Sequence, residues 1–299
     1  MEIFFFLFAF FANITDYQSI YWGRMMSTEL FFELFLEELK SLPELSHYYK
    51  FLSSEKDFEF RKNYFIQRLD YVYEQVKEHQ VQYGKDLSIW DCGCGYGTTC
   101  LFLAMNGIQT YGSTLEFYFP FIPQRKAYWS AHGNASLFTA GYEDIFENQP
   151  AENTVDIIIL QDTLHHLEPI HEAIDIFRRV LKPKGILIGI EENGNNIIQN
   201  LKLYKQRGNR RIITFWDEKL QKNITMGNEN IRGLKAWDAI FKTAAMSIDA
   251  GKTQFVRLFP PFLYSNKSAK EVAQIEKSWA NKFLRQYFFF GINFVAQKA

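Results

Sequence analysis

The 299-residue sequence has almost no net charge: 33 basic side chains face 34 acidic ones, a formal −1. Nonspecific nucleic-acid binding needs a basic excess to neutralise phosphates, so no nucleic-acid partner is expected. Cysteine is scarce. The three residues, Cys92, Cys94 and Cys100, are clustered too closely to form a disulfide framework, which points to a reducing, cytoplasmic setting. No apolar run reaches the ~20 residues of a helical membrane span. Ile3 to Ala12 comes nearest, but it is short, and Glu2 stands where a secretory signal would carry basic residues. Residues 1–25 therefore read either as an interfacial helix or as a leader ahead of a start at Met25 or Met26. The leader is favoured, because an amphipathic helix begins directly after those methionines. Membrane contact is left open but not expected. Repeats, low-complexity linkers and clean domain boundaries are also missing. The aromatic count, 30 Phe and 16 Tyr, is high. Core filling is its first explanation, with an apolar ligand pocket or a membrane-facing surface as alternatives.

Phe31, Leu34, Phe35, Leu39 and Leu42 recur at helical spacing up to Pro43, and Phe65, Leu69, Val72 and Val76 mark a second helix to about His79. These form an N-terminal helical cap, 26–86. From Leu87 short apolar runs alternate with helical stretches. Strands are expected at Ser88–Cys92, Gln109–Thr114, Ser136–Ala140, Val155–Gln161 and Ile186–Glu191. Helices are expected at Thr98–Met105, Pro123–Ala131 and Ile170–Leu181. The continuous apolar run VDIIILQ suits a parallel strand covered on both faces, and the alternation implies right-handed crossovers. The polar stretch Asn193–Asn230 loosens the rhythm and reads as a lid-like insertion around 193–232. A helix follows at Leu234–Ala245, then a strand at Phe255–Phe259, a helix at Ala269–Arg285 and a strand at Phe288–Ala296. The main domain would span 87–299.

The stretch Asp91-Cys92-Gly93-Cys94-Gly95-Tyr96-Gly97-Thr98 is the most informative. A strand runs into three alternate glycines and then a helix. Glycine is required where a chain leaves a strand sharply or must touch a ligand with its backbone. The dinucleotide spacing G-x-G-x-x-G would need glycine at Thr98, and no Gly-Lys-Ser/Thr of a P-loop follows. An acidic strand end suits a cationic cofactor better than a pyrophosphate.

On this turn, on VDIIILQDTLHHLEP and on RRVLKPKGILIGIEE, the chain resembles the class I S-adenosylmethionine-dependent methyltransferase family from about Arg68 to Glu192. The resemblance implies a doubly wound, Rossmann-like α/β fold, with a seven-stranded, mostly parallel sheet whose last strand is antiparallel. It also implies S-adenosylmethionine as cofactor, with Asp91, Cys92, Gly93, Gly95 and Gly97 facing its methionine portion. The family's ribose-binding acid is replaced by Thr114, so Glu116 is expected to take that task, with Thr114 a lesser contact. Glu143 or Asp144 would meet the adenine, with Tyr142 in the slot where the family often has an acid. Gln161 and Asp162 would flank the methyl group.

His165 and His166 are the candidate general bases, needed only if the acceptor must lose a proton. The structural reading of the pair comes first. Spacing from His171 matches no usual zinc set, so no metal is expected. Lys202, Lys205, Arg207, Arg210 and Arg211, followed by Phe215 and Trp216, read as a solvated helix face or as a lid recognising an anionic, aromatic or lipid-like acceptor. The function expected is methyl transfer to a small molecule. The alternatives are a catalytically silent binding protein of this fold and a nicotinamide-dependent oxidoreductase, which Thr98 disfavours.

Overall fold

The computed structural model describes residues 25–53, 58–84, 86–115, 118–258, 267–280 and 285–298. The apolar stretch 1–24 and Glu116 lie outside the described residues.

Ser27 caps the first helix, α1 (Thr28–Ser41), by accepting a hydrogen bond from the Leu30 amide at 3.2 Å. Pro43, with its fixed φ and missing N–H, ends α1 and opens α2 (Pro43–Tyr49). Helix α3 runs from Phe58 to Tyr83, one turn past the expected His79. The apolar stripe of α1 meets Phe65, Ile66 and Leu69 of α3 in a cluster that also contains Leu101, Phe102, Trp129 and Phe138. Phe31 stacks on Trp129 with ring centroids 4.2 Å apart. The N-terminal helices thus share a core with the elements that follow them.

Those elements are β1 (Ile89–Cys92), α4 (Thr98–Met105), β2 (Thr110–Thr114), α5 (Ile122–Trp129), β3 (Phe138–Tyr142), β4 (Val155–Gln161), α6 (Ile170–Val180) and β5 (Leu181–Glu192). Strand β3 starts two residues later than its apolar pattern suggests. Ala135–Leu137 is wound into a short 3₁₀ turn capped by the Asn134 side chain. Next come α7 (Ile197–Arg207), β6 (Ile212–Asp217), β7 (Lys222–Gly227), α8 (Leu234–Thr243), β8 (Met246–Ile248), β9 (Gln254–Leu258), α9 (Ala269–Ala280), a helical turn at Arg285–Phe288 and β10 (Phe289–Lys298). Of the expected helix Ala269–Arg285, residues 281–284 lie outside the described residues.

The main sheet has eight strands in the order β3-β2-β1-β4-β5-β10-β8, with β9 also paired to β10. Strands β1 to β5 are parallel and β10 is antiparallel to β5. The expectation of seven strands falls short by one because two short strands, β8 and β9, share the position beside β10. Alternate residues of β4 separate into two cores. Ile158 and Leu160 pack with Phe177 of α6 and Trp237 of α8, while Ile157 and Ile159 pack with Val72 and Val76 of α3. All four isoleucine and leucine side chains are fully buried, each worth about 1.5–3 kcal/mol of transfer free energy. The chain winds outward from β1 through β2 to β3, then in the opposite direction from β4 to β5. The crevice at this reversal opens beyond the carboxyl ends of β1 and β4.

Candidate functional site

At that crevice lies a cavity of about 1060 Å³, bounded by the glycine turn, the ends of β2 to β5, α3 and the β6–β7 hairpin. The turn is held in place by the amides of Gly93 and Cys94, which both donate to the Ser113 carbonyl at 2.8 and 3.0 Å. Its three glycines have positive φ, of 84°, 51° and 73°. Their surroundings differ. A Cβ on Gly93 would strike Thr163, and one on Gly97 would strike Phe138, whereas at Gly95 the nearest atom is a Tyr118 ring carbon at 3.6 Å. Packing therefore dictates Gly93 and Gly97, while Gly95 leaves its backbone open toward the cavity. Gly97→Ala is expected to destabilise the protein by about 1–3 kcal/mol, combining the left-handed conformation with the clash; denaturant unfolding measures it.

Asp91 ends β1 just beneath the turn and is 1% exposed. Its Oδ2 accepts from the Cys100 thiol at 3.2 Å, but its Oδ1 has no partner among the described residues. Burial pushes its pKa up to about 7, against the opposing pull of the Cys100 hydrogen bond and the more distant Arg68. A buried carboxyl oxygen without a donor is costly, and a bound cation would relieve the cost.

Beneath the turn, a buried ion pair ties it to α1. Arg125 of α5 donates from Nε and Nη2 to the two oxygens of Glu38 at 2.8 and 2.7 Å, and from Nη1 to the Tyr96 carbonyl and Thr98 Oγ1 at 2.8 and 2.7 Å. Trp129 Nε1 donates to the same carboxylate at 2.9 Å. Neither residue had been expected near the site.

Cys92, Gly93, Gly95, Thr114, Glu143, Asp144, Gln161, Asp162, His165 and His166 all line the cavity. Asp91 and Gly97 lie just behind its wall. Glu143 accepts from the Tyr111 hydroxyl at 2.5 Å. Asp144 is engaged elsewhere, by Lys222 of the hairpin at 2.7 Å. Gln161 donates to Thr99 Oγ1 at 2.7 Å. Asp162, at φ 49°, pairs with Arg68 of α3 at 2.7 Å. Burial raises its pKa, but Arg68, His165 and Arg257 outweigh this and hold the carboxyl below its usual range.

The two histidines differ. His165 is buried, and its Nδ1 lies 2.5 Å from Glu191 Oε2, while the other Glu191 oxygen caps the Thr163 and Leu164 amides at 3.0 and 2.7 Å. Burial disfavours the imidazolium, but Glu191, Asp162 and Glu229 prevail and push the pKa up to about 9. His166 directs Nδ1 at the Gly227 carbonyl at 3.0 Å. A carbonyl only accepts, so Nδ1 donates, and Nε2 lies 3.9 Å from Glu229 Oε1. Ligand atoms of His165, His166 and Glu229 lie within 4.8 Å of one another, a set that could hold a divalent cation. Spacing could not reveal it, because Glu229 comes from the loop after β7. His171 lies apart, exposed beside Thr243.

The hairpin closes one side of the cavity. The Tyr142 hydroxyl donates to Asp217 at 2.7 Å, and Lys219 sits over the Phe119 and Tyr142 rings at 4.1 and 4.2 Å. Tyr48 and Tyr49 pack against Tyr96 of the glycine turn, and Phe60 and Tyr64 extend this aromatic wall along α3, where Arg68 and Arg257 pair with Asp162 and Glu192. Arg257 lies over the Tyr64 ring at 4.6 Å.

Residues 90–189 match the model of a family described as a methyltransferase domain. The ubiquinone biosynthesis O-methyltransferase of Rickettsia bellii (strain OSU 85-389) is 28% identical over 153 residues, 50% of this chain and 60% of that protein. The chain thus spans about three fifths of the length of the curated relatives it matches. The fold is similar to that of geranyl diphosphate C-methyltransferase from Streptomyces coelicolor A3(2), with a TM-score of 0.53 and 15% identity over 84% of this chain and 87% of that one. It is also similar to the [4+2]-cyclase SpnF, with a TM-score of 0.51 and 19% identity over 78% of this chain and 82% of that one. The glycine turn, the reversal of strand order and the family match over residues 90–189 agree in supporting a class I S-adenosylmethionine-dependent methyltransferase.

Proposed function

We propose that the chain transfers a methyl group from S-adenosylmethionine to a ring hydroxyl of an aromatic small molecule. One observation carries the cofactor's placement: Asp91 Oδ1, buried and without a donor, lies under a glycine turn whose middle residue leaves its backbone open to the cavity. That arrangement fits a cationic amino-acid tail. Cys92, Gly93, Gly95 and Gly97 would follow that tail, Thr114 would approach the ribose, and Glu143 the adenine. Asp144 is the weaker adenine candidate, given its pairing with Lys222. Bound at the ends of β1 and β4, the sulfonium supplies an electrophilic methyl group.

The acceptor end of the reading rests on the aromatic wall and on the O-methyltransferase activity of the Rickettsia relative. Transfer forms an O–CH₃ bond as the S–CH₃ bond breaks, and the hydroxyl proton must leave. His166 Nε2 is the acceptor for it, within reach of Glu229. His165, tied to Glu191, fixes the loop that carries His166. Gln161 and Asp162 border the methyl path, and the Asp162–Arg68 pair fixes that edge. Excluding water and aligning the oxygen with the methyl carbon supply most of the acceleration.

Calorimetry with S-adenosylmethionine, S-adenosylhomocysteine and NAD tests the reading. Micromolar binding of the first two and none of NAD supports it; the reverse overturns it. Asp91→Asn is expected to weaken S-adenosylmethionine binding about 30-fold, or about 2 kcal/mol, by removing the charge partner. The pH dependence follows from the raised pKa. Between about pH 4 and 7 the fold holds a proton on Asp91 that the unfolded chain releases, so ligand-free stability falls as pH rises through that window. Cation binding reverses the preference, so affinity should rise toward pH 7 with proton release near pH 6, seen as buffer-dependent binding enthalpies. Flat affinity without proton release would remove Asp91 from this role.

A further inference from the structure

Helix α7 carries its apolar side outward. It buries Gln199 and Leu203 and exposes Ile197, Ile198, Leu201 and Tyr204, which are 57, 47, 65 and 61% accessible. At 3.6 residues per turn, positions 197, 201 and 204 share one narrow face with 198 at its margin. In β6, Ile212, Phe215 and Trp216 are also exposed, with Ile212 and Trp216 on one face of the strand. A surface helix normally turns such a stripe to the core, and a contiguous exposed apolar patch marks something that covers it.

The surrounding charge is of one sign. Lys202, Lys205, Arg207, Arg210 and Arg211 border the patch, and no acidic residue occurs between Glu192 and Asp217. Among the described residues, Lys202, Lys205, Arg210 and Arg211 form no ion pair, while Arg207 donates to the backbone carbonyls of Gly208 and Glu229. A two-fold contact with a second copy would set these cations against one another. A sheet of anionic headgroups over an apolar interior matches both the charge and the stripe, with tyrosine and tryptophan at the depth they favour.

We propose that α7 and β6 form a docking face for an anionic lipid bilayer, with the helix lying in the plane of the interface. Trp216, on the same face of β6 as Ile212, belongs to this docking face and also lines the cavity. The surface in contact with lipid is thus one wall of the chamber, and a lipid-soluble acceptor could pass between them. That last link rests on the methyltransferase reading; the docking does not.

The test is flotation of the full chain with vesicles of phosphatidylcholine alone or mixed with phosphatidylglycerol. Binding is expected only with the anionic mixture, weakening as salt is added. Lys202→Glu with Lys205→Glu, and separately Ile198→Gln with Leu201→Gln, should each weaken it at least about tenfold while cofactor affinity and Tm stay unchanged. Absence of binding to the anionic vesicles overturns the proposal. So does binding that both variants leave intact, since the contact would then lie elsewhere, for instance in the apolar stretch 3–12. A parent that is dimeric by light scattering, becomes monomeric on Leu201→Gln and ignores vesicles would assign the face to a second copy instead. Cofactor titrations on the same samples separate the two readings, because vesicle binding does not need the methyl donor.

Discussion

Glu38→Ala is expected to lower the unfolding free energy by about 3–5 kcal/mol, because it leaves the Arg125 guanidinium buried and uncompensated. Both side chains are fully inaccessible to solvent, so no water can replace the lost carboxylate. The loss should also reach the cofactor, since the same guanidinium holds the Tyr96 carbonyl and Thr98 Oγ1 at the end of the glycine turn. Stability and positioning can be separated. A double variant, Glu38→Met with Arg125→Met, removes the charges together and should recover much of the stability. It should not recover S-adenosylhomocysteine affinity, because the turn has lost two of its hydrogen bonds. Chemical denaturation and calorimetry on the two variants decide it. A Glu38→Ala cost below about 1 kcal/mol would place the pair among ion pairs of little consequence.

His166→Ala should reduce turnover about 10²–10⁴-fold, the range for removing a general base, with S-adenosylmethionine affinity unchanged. The readout is S-adenosylhomocysteine release in the presence of a catechol such as caffeate. Added imidazole should restore part of the rate to the alanine variant, which a structural defect would not allow. The assignment rests on direction: His166 Nδ1 donates to Gly227, so Nε2 is the ring nitrogen turned toward Glu229 and the cavity. His165 is unsuited to the task because its neighbours keep it protonated. Unchanged turnover, or a loss explained by weaker cofactor binding, would remove His166 from the chemistry.

The glycine turn, the apolar run of β4 and the start of α4 at Thr98 were legible because their signals are local. Each is written in consecutive residues, and the described cofactor candidates, Glu116 apart, lie around one crevice. Glu38 and Arg125 carried no such signal. A buried ion pair between residues 87 positions apart is chosen by tertiary packing, and each looks alone like an ordinary surface charge. The basic run from Lys202 reads as a solvated helix face, but the apolar stripe of α7 is not legible as such because it faces away from the core, against the usual rule. The β6–β7 hairpin escaped for a related reason: β6 exposes four of its six residues, so burial imposes no clean alternation. Glu229 joins His165 and His166 only through the fold. The ribose expectation divides between Thr114, which lines the cavity, and Glu116, outside the described residues.

Strand β10 has a consequence for how the molecule is assembled. Among the described strands, β8 and β9 reach the main sheet only through it, and β5 has its outer edge covered only by it. During synthesis, residues 246–258 must therefore wait for 289–298 to leave the ribosome before they can pair, and β5 meanwhile presents a long, apolar, unsatisfied ladder. Such an interval invites pairing with other nascent chains. It also makes closure of this half of the sheet a late, non-local event, so β10 should acquire protection from hydrogen exchange after β1 and β4 when refolding is followed by pulse labelling.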